Sequence, residues 1–151
     1  MDQQNVQAAS VSSWCPTYIV DGKAAVVGDI HGSSAAVPQL LGDAGPGQVF
    51  CVGDVGDRGP DTQGVPETLV EHRAGGVLGN HEDWLLRWLG GGPLNPLDLV
   101  GGMEGESTLR SWGLTSDNLF ELSEQRGRVP RVQVEWLRGG HERRPGTQVS
   151  A

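Results

Sequence analysis

Apolar and polar positions follow one another in blocks along this chain, and one block pattern recurs three times. A short apolar run closes on glycine, a polar side chain follows, and a helical pattern comes next. The runs are Lys23-Ala24-Ala25-Val26-Val27-Gly28 before Asp29, Gln48-Val49-Phe50-Cys51-Val52-Gly53 before Asp54, and Gly76-Val77-Leu78-Gly79 before Asn80. Apolar runs of this length bounded by glycine predict buried strands. Between them, Ser34 to Leu41, with Ser33 or Ser34 available as N-cap, and Asp61 to His72, opened by Pro60, predict helices. Strand, helix, strand, helix, strand in this order predicts right-handed crossovers in a mainly parallel sheet with flanking helices, an α/β fold.

The third run leads into a predicted helix over His81 to Leu89, whose Trp84, Leu85, Trp88 and Leu89 share one face and read as core. Gly90 to Pro96 is too rich in glycine and proline to be anything but a loop. Beyond it, Glu106 to Trp112, Ser116 to Gln125 and Pro130 to Arg138 predict three more helices and no further strand. Met1 to Thr17 is small, polar and without period, a loose leader, with order expected from Tyr18. Gly139 to Ala151 is almost free of apolar residues and is expected to be a disordered tail, which leaves one domain over residues 18–138.

Composition narrows the possibilities. A chain of 151 residues has room for one core, and 36% apolar residues with 24 glycines exclude disorder by composition. Eleven basic against nineteen acidic residues, a net charge of −8, argue against a nucleic-acid or anionic-membrane partner. With no apolar run of membrane-spanning length and no signal-like start, a cytoplasmic location is expected. Cys15 and Cys51 make no disulfide framework, and Cys51 in its apolar run predicts a small buried hydrophobe.

Functional groups of an open parallel sheet gather beyond the carboxyl ends of its strands. Here those ends read Gly28-Asp29-Ile30-His31-Gly32, Gly53-Asp54-Val55-Gly56-Asp57-Arg58-Gly59 and Gly79-Asn80-His81-Glu82. Aspartate, histidine and asparagine without a thiolate suit a borderline divalent ion such as manganese, iron or zinc. Asp29 and His31, two apart in a segment expected to leave the strand extended, point to one side and can share an ion. The glycines beside them are expected to take positive φ and to admit close backbone approach. Arg58 offers a planar fork of donors to a phosphate and supplies the local positive charge that the acidic chain lacks. His81, beside Asn80, is free to carry a proton, and Asp57 is the carboxylate that would keep it imidazolium and ready as a general acid. His72 and His141 read as surface and tail residues, and no GxGxxG or GxxxxGK[ST] pattern follows any strand.

The three clusters resemble the calcineurin-like metallophosphoesterase superfamily, whose pattern is GDxHG, then GDxxDRG, then GNHE. Their form here, with Gly53 to Thr62 reading GDVGDRGPDT and Gly79 to Leu86 reading GNHEDWLL, is similar to the phosphoprotein-phosphatase branch and to symmetrical diadenosine tetraphosphatases. Gly101-Gly102 and the stretch Ser107 to Gly113 look like a segment of bacterial serine/threonine phosphatases. The resemblance implies an α/β/β/α sandwich and two divalent ions, manganese first, with iron or zinc next. Asp29 and His31 would bind one metal, Asp54 would bridge both, and Asn80 would bind the other and touch the phosphate that Arg58 holds. His81, oriented by Asp57, would protonate the leaving oxygen after in-line attack by a metal-bound hydroxide. The implied substrate is a phosphorylated protein, with a dinucleoside polyphosphate as the alternative.

The resemblance runs from about Tyr18 to Leu137. Family members continue with a second sheet and two later metal-binding histidines, which have no counterpart here, so a frameshift or early stop is expected. That reading leaves the chain as the N-terminal half of the sandwich, with the second metal site weak and catalysis impaired. One face of the sheet would be bare, which predicts self-association.

Overall fold

The computed structural model describes residues 22–45 and 47–139. The leader, Tyr18, Cys15, His141 and all of the expected tail except Gly139 lie outside the described residues. Three parallel strands, β1 (Ala24–Val27), β2 (Gln48–Cys51) and β3 (Gly75–Gly76), form one sheet in the order β1-β2-β3. The crossovers carry α1 (Val37–Ala44) and α2 (Gly64–Glu71), which pack against each other. After β3 come α3 (Asn80–Leu89), α4 (Pro96–Leu99), α5 (Glu106–Ser111), α6 (Leu119–Glu124) and α7 (Arg131–Leu137).

Alternation along the strands sorts the sheet's side chains. Val27 and Cys51, aligned in register, face the helices and join Val37, Leu41, Val65, Leu69, Trp84 and Trp88 in one core. On the other side Val26 of β1, and Val52 and Val77 just beyond β2 and β3, are 66%, 53% and 37% exposed, while Phe50, level with Val26, is buried at 9%. No described helix is long and apolar enough to cross a membrane.

Several element boundaries shift from the sequence reading. The third strand pairs at Gly75–Gly76, not over Gly76 to Gly79, with one further bond from Val77 N–H to the Cys51 carbonyl. Gly53, whose φ is 92°, still lies directly against the Leu78–Gly79 backbone, so the two turns stay in contact beyond the last paired residues. Neither Ser33 nor Ser34 caps α1; a 3-10 turn over Ser34–Ala36 leads into it instead, and the Ser34 hydroxyl donates to Asp61. Asp61 in turn accepts from Gly64 N–H at 3.0 Å, so it belongs to the turn before α2 and not to the helix. The run Ser116 to Gln125 yields a helix only from Leu119, because Asn118 takes the N-cap, accepting from Phe120 N–H at 2.8 Å. Pro96 ends the glycine-rich loop by opening α4, with Asn95 as its cap.

Candidate active site

Three turns meet at the carboxyl ends of the strands: 28–33 after β1, 53–59 after β2, and 77–79 leading into α3. The first two continue the β1–β2 pairing. Asp29 N–H donates to the Gly53 carbonyl at 3.3 Å, His31 N–H to that of Asp54 at 3.0 Å, and Gly32 N–H to that of Val55 at 2.8 Å.

The backbone here is not extended. Asp29, His31, Asp54, Asp57 and Arg58 have φ of 51°, 47°, 55°, 67° and 63°, in the left-handed region. Each such residue costs about 1–3 kcal/mol and persists only where its surroundings hold it, a pattern that clusters at functional sites. The expectation that Asp29 and His31 converge by strand alternation is therefore corrected: two left-handed residues bring Asp29 Oδ1 to 3.7 Å from His31 Nε2. The glycines also divide their work differently. Gly32 and Gly53 do take positive φ, whereas Gly59 and Gly79 provide room: a Cβ on Gly59 would run into the His31 carbonyl, and one on Gly79 into the Asp54 carboxylate.

One ring nitrogen each of His31 and His81 and one carboxylate oxygen of Asp54 lie within 4.8 Å of one another, a set with the spacing to hold a metal ion. His31 Nδ1 lies 2.9 Å from the Gly56 carbonyl. A carbonyl only accepts, so Nδ1 carries the proton and Nε2 presents its lone pair, the arrangement by which a protein fixes a metal-binding imidazole. Arg58 Nη1 donates to that Nε2 at 3.1 Å, and its Nη2 donates to the Gly102 carbonyl at 3.0 Å. The two imidazole rings pack edge to face, 4.6 Å between centroids. Asp54 is half-buried, while Asp29, Arg58 and Asn80 are exposed. Asn80 opens α3 and donates from Nδ2 to Met103 Sδ at 3.8 Å.

His81 is buried, and its Nδ1 lies 2.8 Å from Asp57 Oδ2. Asp57, wholly buried, also accepts from Trp84 Nε1 at Oδ2 (2.8 Å) and from the Thr108 hydroxyl at Oδ1 (2.5 Å). Burial pushes the Asp57 carboxyl above its ordinary range, against the pull of the bonds from Thr108, Trp84 and His81.

Three residues with roles in this arrangement had none assigned from sequence. Glu82, 1% exposed, accepts four backbone N–H groups: Asp54 (2.9 Å) and Gly79 (2.9 Å) at Oε2, Val55 (2.8 Å) and Gly56 (3.2 Å) at Oε1. One carboxylate thus ties the β2 turn to the start of α3. Its place three residues beyond Gly79, the position of a capping-box glutamate, was the available signal. From sequence Trp84 reads only as core, and Thr108 only as part of a family-like stretch. Their bonds to Asp57 depend on tertiary approach. His72 is exposed, its Nδ1 2.9 Å from the Thr68 carbonyl, away from the cluster.

Among known proteins, no curated relative matches the chain. The chain is similar to a crystal structure of a provisionally assigned diadenosine tetraphosphatase, with 30% identity and a TM-score of 0.45 over 67% of this chain and 41% of that one. It therefore spans less than half the length of that protein. The family model for calcineurin-like phosphoesterases matches residues 22–149, nearly the whole chain. With three parallel strands delivering aspartate and histidine to one cluster, this chain belongs to the calcineurin-like phosphoesterase family.

Proposed function

We propose that this chain hydrolyses phosphoesters with divalent metal ions, and that its substrate is a serine or threonine phosphate carried on a protein. The observation that carries the reading is the approach of His31 and Asp54 to a His81 whose other function, proton delivery, is set by its buried hydrogen bond to Asp57. The donor set fits a divalent ion: the His31 tautomer is set by Gly56, and imidazole with carboxylate and no thiolate suits manganese, iron or zinc. His31 and Asp29 would hold one ion, Asp54 would be shared, and Asn80 would hold a second, more weakly. Ions bound there supply Lewis-acid stabilisation of the phosphoryl charge and activation of the attacking water.

This chain's own residues do the rest. Arg58, exposed, would bind phosphate oxygens once an ion takes His31 Nε2 from its Nη1. Asn80, exposed at the N-terminus of α3, adds a neutral contact to the same group. His81 gives its proton to the leaving oxygen and Asp57 holds the imidazole in place. Exposure of Arg58, Asn80 and Asp29 suits a phosphate presented on a protein surface better than a ligand that must be enclosed.

The test is manganese-dependent hydrolysis of p-nitrophenyl phosphate by the wild type and by Asp54→Asn, with metal content measured by mass spectrometry. Metal uptake and turnover, both lost in the variant, are expected. Turnover that survives Asp54→Asn, or none with any of the three metals, overturns the reading. Faster hydrolysis of a dinucleoside tetraphosphate than of a phosphoserine peptide moves the substrate to the nucleotide class.

A further inference from the structure

Asp57 is reached by a side chain far along the sequence. Thr108, on α5 and 51 residues away, is fully buried. Its Oγ1 donates to Asp57 Oδ1 at 2.5 Å and accepts from Asp57 N–H at 2.8 Å, so it closes a ring on one residue. Thr62 Oγ1 lies 3.0 Å from the same oxygen. A hydroxyl has one proton, and that of Thr108 is spent on the carboxylate, so Thr62 is the donor and every hydrogen-bonding position of the Thr108 hydroxyl is filled. With Oδ1 pinned by Thr108, the carboxylate plane cannot turn, and Oδ2 stays between His81 Nδ1 and Trp84 Nε1. The same stretch of chain reaches the other side of the site, where the Gly102 carbonyl accepts from Arg58.

We propose that Thr108 is a positioning residue for proton delivery: its hydroxyl fixes Asp57 so that Asp57 fixes His81. The inference rests on the phosphoesterase reading and adds to it a group outside all three motif clusters. Without the hydroxyl, Asp57 Oδ1 and its own N–H lose a partner where water does not reach. The carboxylate then rotates to recover a bond, and the imidazole loses its orientation. The defect is confined to the step that needs a proton.

The experiment compares leaving groups in the full chain with manganese. Phenyl phosphate needs its departing oxygen protonated; 2,4-dinitrophenyl phosphate does not. Thr108→Val is expected to lower kcat for phenyl phosphate about 10- to 100-fold, with dinitrophenyl phosphate and both KM values changed by less than about threefold, and Thr108→Ser to restore it. Equal loss on both substrates marks a merely structural role and overturns the proposal. His81→Asn separates this from the parent reading. If His81→Asn shows the selective loss and Thr108→Val does not, the Thr108 proposal alone fails; if His81→Asn is not selective, or the wild type shows no turnover, the parent reading fails.

In that second case the Thr108 contact is still decided by proton NMR of the His81 Nδ1–H, identified by its loss in His81→Asn. A shift in Thr108→Val that reverses in Thr108→Ser supports the contact, and an unchanged signal overturns it. If Thr108→Val does not fold, Thr62→Val, which removes the donor to the Thr108 hydroxyl, takes its place in both measurements. It is expected to show the same selectivity and a smaller shift, and absence of both overturns the proposal.

Discussion

Two buried carboxylates serve the three turns, and they differ in what they hold. Glu82 accepts from four backbone N–H groups, and its hydrogen bonds are to main chain. Asp57 accepts from Thr108, Trp84 and His81, all side chains. Both are acidic, both are buried and both are fully hydrogen-bonded, so none of these properties separates a structural acid from a functional one. The kind of partner does. A carboxylate on main-chain donors fixes where the chain runs, and one on side-chain donors fixes where a reacting group points.

The largest expected effect tests the first half of that contrast. Glu82→Ala strands four backbone donors, those of Val55 and Gly56 buried, at a cost of about 3–5 kcal/mol and a fall in Tm of about 10 °C or more. Thermal and urea denaturation measure it, and a loss below about 1 kcal/mol would erase the distinction. Asp57→Asn comes next. It should cost about 1–2 kcal/mol in stability yet about 100-fold in kcat for phenyl phosphate.

The pH dependence of that variant carries a sign. Because burial raises the Asp57 carboxyl above 3.8, folding favours its protonated form. The stability linked to it is complete below 3.8 and is lost as pH rises through the raised value. Asp57→Asn removes that loss. The stability gap between variant and wild type should therefore narrow as denaturation is repeated from acid upward.

Cys51 gives the baseline of burial with little else. It is 2% exposed, its thiol is pushed up to about 11, chiefly by desolvation, and its one weak bond is to the Gly53 carbonyl at 4.0 Å. In a Cys15→Ser background, iodoacetamide at pH 8 should leave the folded chain unlabelled. Adding Glu82→Ala should speed labelling far more than adding Asp57→Asn, because only the first loosens the end of β2. The smallest effect concerns the exposed valines at the end of the sheet. Val52→Lys should change stability by less than about 0.5 kcal/mol and lower self-association in sedimentation velocity. A chain that is monomeric before the substitution removes the expectation of self-association through those valines.

Much of the frame was legible in the sequence, because each apolar run closes on glycine and each helix carries an apolar face. The polar clusters that open on Asp29, Asp54 and Asn80 do follow strands, and the strands are parallel. What escaped was set by tertiary approach. The left-handed backbone of Asp29, His31 and Asp54 leaves only a weak signature in residue order: aspartate and histidine enter that region more often than most residues, yet adopt extended chain far more often still. Thr108 reaches Asp57 only because α5 folds back over the β2 turn, a distance that no local pattern encodes. The short β3 is likewise set by where its pairing with β2 ends, again a property of the partner strand.

The bonds from residues 29–32 to residues 53–55 prolong the strand pairing into the cluster, which has a consequence for errors in assembly. If β2 slipped by one residue against β1, its side chains would exchange faces, turning the Cys51 thiol outward and Val52 inward. The same slip would carry Asp54 one residue along from His31 and break all three connecting bonds. A misregistered chain is thus both apolar in the wrong places and chemically empty. Fidelity of strand alignment and fidelity of the chemistry are a single quantity in this molecule, so a population with mixed alignment would show reduced active fraction at unchanged KM.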